Sequence, residues 1–443
     1  MRIPSVHTRR EFLRATAATS MAAMPMPRSL EVPQQEQQPP ESLPPAFSSL
    51  TPLGAKIRPI TVAEFAERIA EAQNLMTELP RSNGPLPADL KYDALFMAQG
   101  TSFYYFTGVR WSISERLLGL IIPRSGQPIL VVPAFEEGRL REKLKLPVDV
   151  RIWQEDENPT KVAVAALAER GIRTGVIGIE EATAFTFYDH FRDAAPGFQY
   201  VSADRVTIAC RARKSPHELE LMRLACSATF DVFRAALASL KEGMSQDDIG
   251  SLITRGFAKM DLRGGALVLL GASAALPHGT LKPQKLKEGD AVLIDGECLV
   301  EDYPSDVTRT SIFGKPSEKI LQAFEIVRRA QDAALDAARA GRLSGTVDDA
   351  ARKVIVDAGY GPGYKYFTHR LGHGLGLDEH EHPYLVHGSK TILEPSMTFS
   401  NEPGIYVPNE FGMRCEDDMA ITLDGPAQLL TPGFARSLEK PFG

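Results

Sequence analysis

The sequence predicts an α/β domain followed by an α+β domain. Short apolar runs alternate with helical patterns over residues 59–210, which is typical of α/β proteins. Over residues 211–443, long amphipathic helices instead flank strand-like runs rich in β-branched residues, which is typical of α+β proteins. Because the two stretches together exceed the length that one hydrophobic core usually supports, we expect two domains.

Residues 1–25 have the features of an export signal. Arg9 and Arg10 are adjacent and precede a short apolar stretch, Ala15 to Ala23, which predicts a twin-arginine signal. The stretch is too short and too rich in alanine to predict a membrane span. We therefore expect a periplasmic or extracellular protein with no stable membrane span after signal cleavage. An uncleaved signal that serves as an anchor is the alternative.

Residues 26–58 are predicted to form a linker, because the segment is rich in Pro, Gln and Ser and poor in large apolar residues. A segment of this composition buries too little surface to offset the entropy lost on ordering. We expect a semi-extended tether.

The elements of the first domain follow from hydrophobic periodicity. The stripe of Phe65, Ile69, Ala72 and Met76 predicts a helix at its start. The aromatic run from Phe103 to Phe106 predicts core or interface packing, with the rim of a substrate pocket as the alternative. The remaining runs predict one helix and several buried strands, two of them joined by a Ser-Gly turn: helix 161–170 and strands 93–98, 117–123, 127–133 and 174–180.

The second domain is predicted to begin with a well-capped helix. Ser215 is the expected N-cap, Pro216 occupies the first helical position, and Glu218 stands three residues after the cap. Further amphipathic patterns predict three more helices, each delimited by a glycine or a polar cap: 245–260, 318–341 and 346–359.

Charge and cysteine usage exclude several classes of protein. The net charge is −6 and no basic stripe is present, so nucleic acid is not an expected partner. Cys210, Cys226, Cys298 and Cys415 lack the spacing of metal ligands and are expected to pack as small apolar residues.

Residues 369–382, HRLGHGLGLDEHEH, hold four of the nine histidines. So dense a cluster indicates a metal or acid–base site, whereas a glycine-rich strand with solvated histidines is the alternative. Acidic partners elsewhere in the chain would favour the metal site.

Two aspartates stand at the ends of strand-like runs. Asp295 follows the apolar run from Ala291 to Ile294, and Asp306 opens a second run rich in β-branched residues. Adjacent strands would place the two carboxylates side by side. The segment between them carries residues typical of turns, namely Gly296, Pro304 and Ser305.

Two glutamates complete the acidic set. Glu402 precedes a Pro-Gly turn, and Glu416 stands two residues after Arg414 in a strand-like run, so that both side chains point to one face. Four clustered carboxylates would raise each other's pKa, and two divalent cations would neutralise them. Oxygen ligands with one imidazole suit Mn²⁺, Zn²⁺, Co²⁺ or Fe²⁺. Paired metals lower the pKa of water, so the expected reaction class is metal-assisted hydrolysis.

The motifs resemble those of a known family. The strings IDGECLVEDYPSDVTRT, THRLGHGLGLDEHE, NEPGIY and GMRCEDD are similar to the metal-site motifs of the pita-bread metallopeptidases, and within them to the Xaa-Pro peptidases, aminopeptidase P and prolidase. The resemblance covers roughly residues 60 to 436. It implies a pita-bread catalytic domain over residues 211–443 and a creatinase-type domain over residues 59–210.

The resemblance also implies a dinuclear metal site. Two divalent ions would be bound, with manganese preferred over zinc, cobalt or iron. The five ligands that it implies all match in this sequence: Asp295, Asp306, His373, Glu402 and Glu416.

Further roles are implied for residues around the metals. His278 and His380 would donate hydrogen bonds to the scissile carbonyl or the developing oxyanion, and His369 would lie near the proline after the scissile bond. Glu402 would also carry a proton from water to the leaving amine. Arg414 would orient the metal carboxylates.

Further expectations concern the support of the ligands, the substrate and the oligomeric state. Thr308 and Thr310 are expected to support the ligands through hydrogen bonds. The resemblance implies a peptide substrate that contains proline and a homodimer or higher homo-oligomer.

Three alternatives remain open. A creatinase-like hydrolase of a small amidine or amide would lack the intact metal set. A methionine aminopeptidase would not account for the N-terminal domain. A non-catalytic peptide-binding protein on the same scaffold is the alternative from a different functional class, and bound metal would distinguish it.

Overall fold

The computed structural model describes residues 42–78 and 90–442. The predicted export signal and residues 26–41 of the predicted linker lie outside the described residues. Within the remainder of that linker, Pro45–Phe47 and Gly54–Lys56 form short 3-10 turns. Phe47 is fully buried in the core of the C-terminal part, so this stretch is ordered, unlike the tether that we expected. Its average composition is that of a linker, but the phenylalanine is enough to anchor it.

Helices and strands alternate through the N-terminal part, as predicted. The described elements are α1 (Val62–Thr77), β1 (Ala94–Ala98), α2 (Thr101–Thr107), β2 (Gly119–Pro123), β3 (Ile129–Pro133), α3 (Glu137–Lys143), β4 (Asp149–Trp153), α4 (Pro159–Glu169), β5 (Gly175–Ile179), α5 (Phe185–Ala194), β6 (Phe198–Ser202) and α6 (Asp204–Ala212).

The strands of this part form one mixed sheet in the order β4-β3-β2-β1-β5-β6. Strands β2 and β3 form the predicted antiparallel hairpin, and β2 is also antiparallel to β1. The other three pairs, β3–β4, β1–β5 and β5–β6, are parallel. The aromatic run lies on helix α2, where Phe103 and Phe106 are buried in the core. This agrees with core packing rather than with a pocket rim.

Long helices and short strands make up the C-terminal part. Its elements are α7 (Pro216–Leu237), α8 (Gln246–Lys259), β7 (Arg263–Leu270), β8 (Ala291–Val300), β9 (Tyr303–Pro304), β10 (Val307–Ile312), α9 (Glu318–Ala337), α10 (Gly345–Asp357), β11 (Gly372–Gly374), β12 (Glu381–Leu385), β13 (Thr398–Asn401), β14 (Gly404–Val407), β15 (Phe411–Arg414), β16 (Asp417–Ala420) and β17 (Gln428–Leu429).

Three antiparallel sheets result. They have the strand orders β10-β8-β7 with β9 beside β8, β12-β11-β13-β16-β17, and β14-β15. Strand β8 continues straight through Gly296, and the chain turns only at Glu301 and Asp302, which have positive φ angles. A Cβ atom at Gly296 would lie 2.2 Å from the carbonyl oxygen of Gly265, so the glycine permits close strand pairing rather than a turn.

The start of α7 has the predicted capping box. The Ser215 hydroxyl accepts a hydrogen bond from the Glu218 amide, and the Glu218 carboxylate accepts one from the Ser215 amide. We expect Ser215→Ala to lower the free energy of unfolding by about 1 kcal/mol, because the helix loses a partner for one of its free amides. Urea denaturation measures this change. Ser215→Thr keeps the oxygen and should stay within about 0.5 kcal/mol of the wild type. Equal stability of the alanine variant would contradict the expected contribution of the cap.

A buried polar network joins α1 to the C-terminal part. The Arg68 guanidinium donates to Glu218 at 3.1 Å, to the Tyr303 hydroxyl at 2.9 Å and to the Tyr105 carbonyl at 2.9 Å. Its side chain is 9% exposed. The two parts of the chain are therefore held together by satisfied polar contacts as well as by apolar packing.

A segment that follows β17, residues 433–442, packs back against β10; we call it the C-terminal tail. Arg309 on β10 is fully buried and donates to the Pro441 carbonyl at 2.8 Å. Its guanidinium also pairs with Asp417 at 2.6 Å and lies 4.6 Å from the centre of the Phe230 ring. The tail thus closes over the strand that follows Asp306.

Within the described ranges, none of the helices is both long and apolar enough to cross a membrane. All four cysteines are buried free thiols, and their burial agrees with the expected packing as small apolar residues.

Candidate metal centre and substrate site

The two sheets that carry the acidic motifs meet at one point. Asp295 lies on β8 and faces Thr308 of β10 across the antiparallel register, and Asp306 directly precedes β10. Glu402 follows β13, and Glu416 lies between β15 and β16. Each carboxylate therefore stands at a strand or its end, where the backbone is fixed on both sides.

The structure brings all five predicted ligands together. Their candidate ligand atoms fall into overlapping groups whose members lie within 4.8 Å of one another. His373 Nε2 lies 3.4 Å from Asp306 Oδ2 and 3.4 Å from Glu402 Oε1, so the imidazole links the two sides of the cluster. The groups are Asp295 with Asp306 and Glu416, His373 with Glu402 and Glu416, and Asp306 with His373 and His380.

Burial and mutual repulsion disfavour the charged forms of these acids. Desolvation, followed by the charges of Glu416 and Asp295, holds the pKa of Asp306 well above its ordinary value. Desolvation and the charge of Glu402 do the same to the pKa of Glu416. Desolvation raises the pKa of Glu402 to about 8. A cluster of this kind is stable in its charged form only beside positive charge.

His373 is oriented for ligation. Its Nδ1 lies 3.2 Å from the Gly374 carbonyl oxygen, which fixes the proton on that nitrogen and leaves the Nε2 lone pair directed at the acids. Burial, followed by the charge of His380, lowers the pKa of His373 to about 3, so the ring is neutral. A Cβ atom at Gly372 would lie 2.0 Å from the Ser400 carbonyl oxygen, so only glycine lets β11 approach β13 this closely.

Arg414 and Thr308 bind the acids from behind. The Arg414 guanidinium pairs with Asp295 and donates through Nε to the Thr308 hydroxyl at 3.1 Å. That hydroxyl lies 2.7 Å from Asp295 Oδ1 and 2.6 Å from Glu416 Oε2, within donating distance of both. The Thr310 hydroxyl donates to the Arg414 carbonyl at 2.7 Å. Thr308 and Arg414 thus contact the acids directly, whereas Thr310 contacts the backbone of Arg414, and the supporting roles of the three side chains stay a prediction.

A hydrogen-bonded chain runs from Arg414 to His369. Arg414 Nη1 donates to the Tyr406 hydroxyl at 2.8 Å, and that hydroxyl lies 2.8 Å from His369 Nε2. His369 Nδ1 lies 2.7 Å from the Arg370 carbonyl oxygen. Desolvation, followed by the charge of Arg414, lowers the pKa of His369 to about 3. His369 is therefore a neutral ring that accepts from Tyr406 and donates to the backbone.

The other two predicted histidines flank the same cluster. The His380 ring stacks on His373 with centroids 3.7 Å apart, and its Nδ1 lies 3.4 Å from Arg370 Nη2. His278 follows the Gly271–Ala275 turn and lies near enough for its charge to lower the pKa of both His369 and His380. His278 and His380 are exposed, whereas His373 is buried.

Two residues of the site escaped the sequence analysis. Tyr406 lies in the quoted string NEPGIY, but only the fold shows that its hydroxyl joins Arg414 to His369. Arg370 is adjacent to His369 and stacks on Tyr384 at 4.2 Å. His369 and Arg370 precede β11, outside any strand, so no periodicity in the sequence indicated their partners.

The donor set fits divalent cations. Asp295, Asp306, Glu402 and Glu416 supply hard oxygen atoms, and His373 supplies one imidazole nitrogen. The raised pKa values of Asp306, Glu402 and Glu416 indicate that added positive charge would be needed to keep these three carboxylates ionised.

Metal binding is expected to release protons at neutral pH. Because the pKa of Glu402 is raised from 4.5 to about 8, this carboxyl holds a proton at pH 7 without metal, and the proton leaves when a cation binds. The apparent metal affinity should therefore rise from pH 6 to pH 8. The raised pKa also means that the folded state holds the Glu402 proton more tightly than the unfolded state. This stabilisation of the metal-free protein is fully present below pH 4.5 and is lost as the pH rises through about 8.

Calorimetry in two buffers of different ionisation enthalpy measures the released protons. The Glu402→Gln variant serves as the control and should release fewer protons per metal bound. Binding with no proton exchange in the wild type at pH 7 would contradict the raised pKa of Glu402.

Two models of known protein families match this chain. The model of metallopeptidase family M24 matches residues 220–423, and that of the creatinase/prolidase N-terminal domain matches residues 86–213. The Xaa-Pro dipeptidase of Pyrococcus furiosus is 32% identical over 343 residues, which are 76% of this chain and 93% of that protein.

Solved structures of similar proteins share the fold. The dipeptidase PepE from Mycobacterium ulcerans superposes with a TM-score of 0.75 at 31% identity, over 85% of this chain and 98% of that one. The X-Pro aminopeptidase from Thermotoga maritima gives a TM-score of 0.67 at 26% identity, over 78% and 96% of the two chains.

Proposed function

Because the chain belongs to metallopeptidase family M24 and has the creatinase/prolidase N-terminal domain ahead of its catalytic domain, we propose that it is a dinuclear metal-dependent peptidase that cleaves the bond before proline. Family membership confirms the resemblance and the fold class predicted from the motifs. It also makes the chain a peptidase. The Xaa-Pro preference, the pair of metals and the residue roles below are the proposal.

The observation that carries the proposal is the convergence of four buried or half-buried carboxylates and one neutral imidazole. Asp295, Asp306, His373, Glu402 and Glu416 are the proposed ligands of two divalent ions, with manganese preferred. When bound, such ions neutralise the acids, polarise a carbonyl group and lower the pKa of water.

Several side chains have proposed roles in proton transfer and substrate binding. Glu402 takes a proton from water and delivers it to the proline nitrogen of the leaving group, which has no N–H of its own in the peptide. His278 and His380 donate hydrogen bonds to the oxygen of the scissile carbonyl. Arg414 keeps Asp295 and Glu416 in place through its own ion pair and through Thr308.

His369 is proposed to contact the proline ring. It is neutral, held on both nitrogens, and its ring packs edge-on against Phe367 at 5.1 Å between centroids. A neutral ring beside an aromatic side chain suits an apolar pyrrolidine better than a charged group would.

The setting of the enzyme is also proposed. The domains span residues 59–210 and 211–443, the twin-arginine route exports the chain to the periplasm or the outside of the cell, and the protein forms a homodimer or a higher homo-oligomer. The paired arginines Arg9 and Arg10 support export.

The experiment is to purify the chain from residue 26 onward, measure bound metal, and assay it with Mn²⁺ on a Gly-Pro dipeptide and an Xaa-Pro-Xaa tripeptide. We expect cleavage of at least one substrate, lost on chelation and restored by the metal. A Gly-Ala dipeptide is the matched control for the proline requirement. If the protein binds about two metals but cleaves neither proline peptide, the proposed substrate class would be wrong, whereas the proposed metal site would stand.

A further inference from the structure

We propose that Arg211, together with Thr101 and Lys214, forms a clamp that positions His380. The clamp holds the loop between β11 and β12, residues 375–380, from helix α2 and from the junction between the two domains. Its consequence for catalysis rests on the proposed function, in which His380 binds substrate, whereas its effect on the loop does not.

The clamp consists of short charge-assisted contacts. Arg211 Nη2 lies 2.6 Å from Asp378 Oδ2 and 2.6 Å from Glu381 Oε2. Lys214 Nζ lies 2.5 Å from the other oxygen of Glu381. The Thr101 hydroxyl donates to Asp378 Oδ1 at 2.5 Å. Two cations thus match two carboxylates, and each carboxylate is held through both of its oxygens.

The clamp is shielded from water at its centre. The side chains of Arg211, Lys214 and Glu381 are 10%, 2% and 6% exposed, whereas that of Asp378 is 43% exposed. Arg211 also donates through Nη1 to the Ser102 hydroxyl at 3.1 Å, and its Nε is buried without a partner. Removing one partner of such a buried ion pair strongly destabilises a protein, because the other charge is left buried without compensation. The folded state therefore holds these side chains in this arrangement.

The clamped residues flank His380 on both sides. Asp378 stands two residues before it and Glu381 directly after it, at the first position of β12. The Gly376 amide donates to the Asp378 carbonyl at 3.1 Å, which closes the loop on itself. The His380 ring lies stacked on His373, and a shift of the loop by one ångström or so would separate the two rings.

The two cations and the hydroxyl of the clamp come from outside the strands that carry the proposed metal ligands. Thr101 begins α2, Arg211 lies on α6, and Lys214 precedes α7. Thr101 of the N-terminal domain, together with Arg211 and Lys214 at the junction of the two domains, therefore takes part in fixing a substrate-binding side chain of the catalytic domain.

The network around Arg68 offers a matched control. Arg68 is as buried as Arg211, at 9% exposure, and also joins the two domains, but its guanidinium donates to Glu218, Tyr303 and the Tyr105 carbonyl, none of which belongs to the 375–380 loop. Removing Arg68 tests domain docking alone, whereas removing Arg211 tests docking and the loop.

Hydrogen exchange read by mass spectrometry tests the clamp without any need for activity. In Arg211→Met we expect amides of residues 375–382 to exchange at least about tenfold faster than in the wild type, with metal content unchanged. Arg68→Met should leave this segment unaltered. Unchanged exchange in Arg211→Met, or equal acceleration in both variants, would overturn the clamp. Asp378→Asn, at a half-exposed position, is the milder second variant should Arg211→Met fold poorly, and it must give the same local acceleration.

Kinetics then tests the action through His380. We expect Arg211→Met to lower kcat on an Xaa-Pro peptide about 10–100-fold, with a smaller change in KM, and to have no further effect in the His380→Ala background. An additive loss in that background would overturn the assignment of Arg211 as a positioning residue. A wild type that cleaves neither proline peptide would instead count against the proposed function, and the exchange result alone would then decide the clamp.

Discussion

Asp306→Asn is expected to abolish turnover and reduce the bound metal while the protein stays folded. Changes in residues that merely support metal ligands cost about 10–100-fold, so the loss of a ligand should exceed about a hundredfold in kcat. Since the pKa of Asp306 is raised by burial and by Glu416, a neutral side chain of the same shape relieves repulsion. The metal-free variant should therefore unfold at the same temperature as the metal-free wild type, or above it.

Metal analysis, steady-state kinetics and thermal unfolding measure the three effects. Glu297→Gln is the matched control, because this carboxylate lies on the same strand two residues after Asp295 but in none of the ligand groups. It should retain metal. Full turnover of Asp306→Asn would show that the ligand assignment is wrong.

Arg309→Met is expected to cause the largest loss of stability. The variant leaves the Asp417 carboxylate buried without its cation and removes the hydrogen bond to the tail at Pro441. Removing one partner of a buried ion pair costs about 3–5 kcal/mol. Urea denaturation of the metal-free protein measures the change without a contribution from metal binding.

An exposed ion pair provides the control for that measurement. Arg58 pairs with Glu220 at the surface, with side chains 65% and 47% exposed. Arg58→Met should lower the free energy of unfolding by at most about 1 kcal/mol. If Arg309→Met were no more destabilising than this, the buried pair would not stabilise the tail.

Local patterns predicted the helices well, because each helix depends on a few neighbouring residues. Ser215 and Glu218 form the predicted capping box, and the periodic stripe from Phe65 to Met76 forms α1. The five proposed ligands could be located because distinctive strings surround each of them. Their convergence needed the fold, but the resemblance supplied that information.

The errors arose where long-range packing decides the local structure. Glycine is typical of turns, yet Gly296 lies within β8, where it permits the close approach of Gly265. Phe47 lies in a segment with the composition of a linker, yet its side chain is buried in the core. The contact of Arg211 with Asp378 joins residues 167 positions apart, and no periodicity reports such a pair.

The position of the tail sets the order of events during synthesis. The Ser311 hydroxyl and Arg309 on β10 are satisfied by the carbonyls of Leu438 and Pro441, so this strand gains its final partners only when those residues leave the ribosome. At about 5–20 residues per second, translation from residue 210 to residue 441 takes roughly 12–46 s. During that interval Arg309 and Ser311 on β10 lack the two carbonyls that satisfy them. Nascent chains halted before residue 433 should therefore have a less stable β10 than the released protein.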